Sequence, residues 1–283
     1  IPKFLDHQKK SIAINEYLIK NYNLKLKDFS SIEYNILPYP NLILKNVNFK
    51  INKQPIEFFS KKMRIFLNFE NIYNKKIINS NKLFMDNLKI SLNINNSNEL
   101  IDYFKKLEKK FYFKRGFINF LKDKKTLFQV ENLDYSNFGF KKNQFKGSLF
   151  DKNFKISIKG KNEDVLFEIL NTGVKAIFKF DKINSDEYVS GSSRINVLNN
   201  FLKFDFKSSE GIITIKNSIF KNENLLISSI GKIKFDPFFY INSNIEIIEM
   251  NEDFFYKIDL KRLFLYKEII KKINGNNKIS FKE

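Results

Sequence analysis

The side chains able to do chemistry in this chain are few, and their spacing works against it. A single histidine, His7, stands between Asp6 and Gln8. With no second histidine and no cysteine, it has no partner for a metal site or a charge relay, and a solvated or capping role is the expectation. Paired carboxylates occur as Glu163/Asp164, Asp186/Glu187 and Glu252/Asp253, the pattern a general acid/base pair would need. Each pair is adjacent in sequence, however, and adjacent side chains on extended backbone point to opposite faces. No glycine-rich phosphate loop, zinc-protease helix or nucleophile elbow occurs. These residues point away from an enzyme, a metal site or a cofactor.

Charge is the other candidate for chemistry. Fifty Lys+Arg against 31 Asp+Glu leave +19 on 283 residues, a balance that suits polyanions or anionic lipid. Only Arg64, Arg115, Arg194 and Arg262 are arginine, while lysine, asparagine, isoleucine and phenylalanine abound. Codons rich in A and T encode those four abundant residues, so a low-GC genome accounts for much of the excess. The 33 phenylalanines interleaved with lysine could stack on single-stranded nucleic acid. Most of them fall in phase with the apolar alternation, which places them on a core or groove face and makes nucleic acid a minor reading. The basic stretches 105–115 and 257–272 could meet anionic head groups, but neither carries a broad continuous apolar face.

Three segments have helical spacing. Residues 2–22 bring Phe4, Leu5, Ile12, Ala13, Leu18, Ile19 and Tyr22 to one stripe. Residues 98–109 follow a Ser97 or Asn98 cap, with Leu100, Ile101, Phe104 and Leu107 on one side. Residues 252–273 begin acidic and end in lysines, which suits the helix dipole. Almost everything else alternates with period two, as in Ile65/Leu67/Phe69, Leu88/Ile90/Leu92 and Phe178/Phe180, with turn-forming residues between. The spacing predicts a mainly β chain with a few helices (α+β): a long, curved, twisted antiparallel meander rather than βαβ units, punctuated by helices at the start, near 98–109 and near 252–273. Residues 1–95 form its amino-terminal region and 96–283 its continuation, as one structural unit. A sheet with one apolar face and little helix must close, pair with another sheet or bind something apolar. No uninterrupted apolar run exceeds about four residues, against the roughly 20 of a membrane-crossing helix.

The stretch LPYPNLILKNVNFKI, 37–51, places Pro38 and Pro40 ahead of a strand, and proline there imposes extended backbone and cannot donate to a ladder. Leu42 and Leu44 share one phase, Val47, Phe49 and Ile51 the other, so a bulge is expected near Lys45 or Asn46. With the preceding helix, this stretch resembles the amino-terminal region of the AsmA family of Gram-negative envelope proteins, whose pattern is G-x-I-x-W/Y-x-x-x-P-x-P-x-L-x-L-x-x-V. Ile32, Tyr34, Pro38, Pro40, Leu42, Leu44 and Val47 match its positions, and Ser30 and Ser31 stand where the glycine would be. Residues 215–247 resemble the family's later repeating strands, with Gly231 and Asp236-Pro237 as turns.

The resemblance implies a periplasmic, non-enzymatic protein, anchored to the inner membrane by a segment upstream of Ile1. It implies an apolar β-groove that takes phospholipid or another acyl-chain lipid, in support of lipid transport and outer-membrane biogenesis, with envelope proteins as partners. Leu42, Leu44, Ile65, Leu67, Phe69, Leu88, Ile90, Leu92, Phe178 and Phe180 are the groove candidates; an ordinary closed core is the competing reading for each. A non-enzymatic envelope scaffold is the alternative function.

Overall fold

A computed structural model describes residues 7–68, 80–122, 125–159, 164–181, 188–234, 240–252 and 274–282. The chain is mainly β and divides into two units, Ile1–Lys155 and Ile156–Glu283. The third expected helix, at 253–273, lies outside the described residues, as do Asp236 and Pro237.

The first unit opens with α1 (His7–Tyr22), closed by Asn23 in the left-handed conformation (φ 52°). Strands β1 (Leu24–Asp28) and β2 (Ser31–Asn35) lie end to end along β3 (Asn41–Ile51). From there β4 (Glu57–Leu67) and β5 (Ser80–Asn93) extend the sheet antiparallel. The chain then crosses over through α2 (Ser97–Lys105) and returns as β6 (Lys110–Lys122), parallel to β5. β7 (Lys125–Ser136) and β8 (Gln144–Leu149) resume the meander, and β9 (Lys152–Lys159) carries the chain into the second unit. The expected all-antiparallel meander is therefore corrected to a mixed sheet. The helix supplies the length a parallel return needs, where a tight hairpin would only reverse the strand.

Two helices hide the apolar face of this sheet. Tyr22 of α1 meets Phe111, ring centroids 6.3 Å apart, and its hydroxyl donates to the Lys110 carbonyl at 3.3 Å. Phe104 of α2 touches Phe111, Phe113, Tyr135 and Phe145, while its neighbour Tyr103 touches Phe58. Tyr103 rather than the expected Ile101 completes the buried face of α2, and Ile101 is 49% exposed. The helix starts after Asn96 and ends by Lys105, so the expected stripe loses Leu107.

The slip near Asn46, expected as a bulge, is instead one part of a line of phase changes across the sheet, along which β3, β4, β5 and β6 keep their register, Lys45 opposite Lys62 and Val47 opposite Ser60. Asn46, Asn87, Arg115 and Asn132 all have φ between 48° and 53°. The registers set Asn46 beside Lys61, Lys61 beside Asn87 and Asn87 beside Arg115, with further shifts where β7 passes Gly116. Along β5 the buried residues change phase there, from Leu83 and Met85 to Leu88, Ile90 and Leu92. On β3, Leu44 gives way to Val47 and Phe49, and on β4 Met63 gives way to Ser60 and Phe58. Because all the strands slip together, both halves present the same apolar face to α2: Phe58 from one half meets Tyr103, and Phe113 from the other meets Phe104. Ser60 Oγ, fully buried, lies 3.0 Å from the carbonyl oxygens of both Lys62 and Asp86 at this line. Asparagine suits three of the positions because its side chain tolerates left-handed backbone.

The proline pair precedes β3 as expected, and residues 36–40 form the connection of the β2–β3 hairpin, closed by Asn35 opposite Asn41, with Pro38 exposed at the tip and Pro40 buried at its base.

In the second unit β10 (Asp164–Ile169), β11 (Val174–Phe180), β12 (Val189–Val197), β13 (Asn200–Ser209), β14 (Ile212–Lys221), β15 (Leu225–Lys234) and β16 (Tyr240–Met250) are joined in order as antiparallel neighbours. β17 (Asn277–Phe281) adds to β16 in parallel. Gly231 lies inside β15, opposite Ser243, and not at a turn. A side chain there would meet the Asn242 carbonyl oxygen at 2.6 Å.

Replacing Asn87 by valine should cost about 1–2 kcal/mol, since a β-branched residue resists φ near 51°, whereas Asn87→Gly should stay within a few tenths of wild type. Urea midpoints of the two variants measure the difference, and equal midpoints would mean that left-handed backbone at Asn87 is not what stability depends on there.

Candidate functional site

The first unit uses its apolar face for its own core. Leu44 and Ile65 are 0% exposed, and Leu88, Ile90 and Leu92 each 1%. They lie in consecutive cross-strand pairs, Leu44 opposite Met63, Ile65 opposite Leu83 and Phe58 opposite Ile90. Leu42 and Leu67 lie half-buried on the same strands, and Phe69 lies outside the described residues. These candidates come together, but in packing contact beneath α1 and α2, with no open channel among the described residues.

Tyrosines mark how dry that core is. Tyr22, Tyr103 and Tyr135 sit among the rings, and burial raises the pKa of each hydroxyl, Tyr135 to about 12. The Tyr103 hydroxyl has no hydrogen-bond partner, while Tyr135 Oη donates to the Phe104 carbonyl at 3.5 Å. A folded-state pKa above the unfolded value favours the neutral phenol, so this stability is complete below pH 10 and is lost as pH rises beyond it.

The second unit is built differently. Its registers line up one apolar row across eight strands: Phe167, Ala176, Ile195, Leu202, Phe220, Ile227, Ile247 and Phe281. Beside it run Val165, Phe178, Ser193 and Phe204, and then Phe180, Gly191, Phe206 and Ile215. Phe178 and Phe180, the two remaining candidates, thus share one face. The rings of Phe180 and Phe206 meet edge to face at 6.0 Å across Gly191, where any Cβ would strike the Lys179 carbonyl oxygen at 2.1 Å. The opposite face carries Glu168, Lys175, Lys179, Arg194, Lys203 and Asp205.

What distinguishes this face is its exposure. Among the described residues of the second unit, Ala176 is the only buried hydrophobic side chain; the rest of the row is half-buried or, at Phe281, 66% exposed. No described helix covers it. Small residues interrupt the rows: Ser193 stands between Phe178 and Phe204, and Ser218 faces Ser229, their hydroxyls 3.1 Å apart. Alternation in the sequence signalled the face, but register across strands, which assembles the rows, is not legible from any one strand.

No group of three or more potential metal ligands occurs among the described residues. Glu163, Asp186, Glu187 and Asp253 lie outside them, so no carboxylate pair is described whole. No described helix is long and apolar enough to cross a membrane. Comparison with protein-family models, curated proteins and solved structures finds no match.

Two measurements separate the closed core from the open face. Leu88→Asp should cost at least about 4 kcal/mol by burying a charge, and Ile227→Asp about 1 kcal/mol, read from urea midpoints. Above pH 10 the stability of the first unit should fall by up to about 1.4 kcal/mol per pH unit for each buried tyrosine, and Tyr135→Phe should flatten that slope between pH 10 and about 12.

Proposed function

We propose that this chain is part of an AsmA-like, non-enzymatic envelope protein that binds acyl chains along the apolar sheet face of its second unit, in support of phospholipid transport. The carrying observation is the row of apolar side chains across β10 to β17, most of them only half-buried and without a covering element among the described residues. Strands about 4.8 Å apart make that row about 34 Å long, more than the acyl layer of one leaflet in a hydrocarbon core of about 30 Å. Each methylene laid on it contributes about 0.8 kcal/mol, and a chain sliding by one methylene exchanges equivalent contacts. Such a face needs no catalytic group. The charged residues of the opposite face keep the sheet wetted. An upstream inner-membrane anchor and a periplasmic setting follow from the same family reading.

Lipid extraction of the purified protein followed by mass spectrometry should yield phospholipid, and a fluorescent acyl probe should bind and be displaced by fatty acid. Phe178→Asp combined with Phe204→Asp should weaken probe binding about tenfold or more while the circular dichroism of the sheet persists. Absence of both copurified lipid and probe binding would sink the proposal and favour the scaffold reading.

A further inference from the structure

The outward face of the first unit sets Arg64, Lys82 and Lys110 among rings, with no carboxylate partner among the described residues. The β4–β5–β6 registers place Phe66, Lys82 and Lys110 in one row and Arg64, Phe84 and Tyr112 in the next. Lys82 Nζ lies 4.7 Å from the Tyr112 ring centre, 5.0 Å from Phe66 and 5.3 Å from Phe138. The Arg64 guanidinium lies 5.9 Å from Phe84, and its Nε is buried with no hydrogen-bond partner. Lys110 stands directly opposite Lys82, so two like charges face each other. Lys27, Lys45 and Lys175 by contrast each have a carboxylate partner, Glu57, Glu33 and Glu168. The carboxylate nearest in register on this face, Asp86, is taken by Arg115. Burial first, and then Lys110, hold the Lys82 ammonium below its usual range, as expected of a cation lacking an anion.

A second, independent feature lies at the same end of these strands. The β2–β3 tip exposes Ile36 (57%), Leu37 (83%) and Tyr39 (63%), and the Pro40 carbonyl accepts from Leu67 N, next to Phe66. Unpaired cations beside an exposed apolar tip match a membrane surface, where phosphoryl groups lie just above acyl chains. A lone carboxylate would satisfy one of the three cations, whereas a lipid surface presents several phosphoryl groups together.

We propose that Arg64, Lys82 and Lys110 bind the phosphoryl groups of anionic phospholipid at a membrane surface, with Ile36, Leu37 and Tyr39 inserted beside them. This site stands on its own residues and does not depend on acyl binding by the second unit.

Sedimentation of the whole chain with phosphatidylcholine vesicles, with and without phosphatidylglycerol, tests it. Retention on the phosphatidylglycerol vesicles is expected, weakened about tenfold or more in R64M/K82M and again in L37S/Y39S. Urea midpoints near wild type would show that the variants fold, and the Phe178/Phe204 double variant should sediment as wild type does. Equal retention on both vesicles, or unchanged binding by R64M/K82M, overturns the site. Saturable binding of inorganic phosphate without vesicle retention overturns the membrane as its source.

Discussion

A strand that slips by one residue turns its buried side chains out to solvent unless its neighbours slip at the same place. The first unit meets this constraint with its line of phase changes, where Asn46, Asn87, Arg115 and Asn132 take left-handed backbone and β3 to β6 keep their register. On either side of the line the apolar phase is opposite in sequence yet continuous in space. Long strands can therefore change phase over a core without losing its contacts, because each neighbour changes phase at the same place. The placement of α2 depends on this: Tyr103 and Phe104 sit side by side and need rings from both halves of the sheet beneath them.

The same physics explains why the two units differ. In the first, the crossover through α2 and the packing of α1 put helices over the apolar face, and five of the ten groove candidates are consumed by the core. Polar groups there either find partners, as Ser60 does at the line of phase changes, or remain neutral phenols whose ionisation burial opposes. In the second unit, short hairpins join β10 to β16 without a helix among the described residues. Its apolar rows keep substantial contact with solvent, which is costly unless a ligand or another surface takes them up. The outward face of the first unit shows the polar counterpart, cations held by rings rather than by carboxylates.

The resemblance to AsmA-like proteins and the open face agree in kind, since both describe apolar β surface. They rest on different residues. The family pattern runs through Leu42, Leu44 and Val47, of which Leu44 and Val47 are 0% exposed, whereas the open surface gathers around Phe178, Phe180 and Phe204. The prolines of the pattern shape a hairpin tip that leaves Leu37 and Tyr39 in solvent.

Much of the architecture was legible from local chemistry. Period-two alternation marked most strands, helical spacing marked α1 and α2, and the phase slip after Leu44 marked the left-handed backbone at Asn46, though not as the bulge expected, because each of these follows from backbone geometry within a few residues. The parallel return of β6, the exchange of Ile101 for Tyr103, and the partnering of Lys82 with three rings were not legible, since each depends on segments distant in sequence. By itself the sequence determined that this is a mainly β, basic chain with alternating faces and no thiol or second imidazole. Only the tertiary structure decided which apolar face is covered and which stays open. Alternation sorts side chains to the two faces of a strand, but register and the placement of helices set what lies against them.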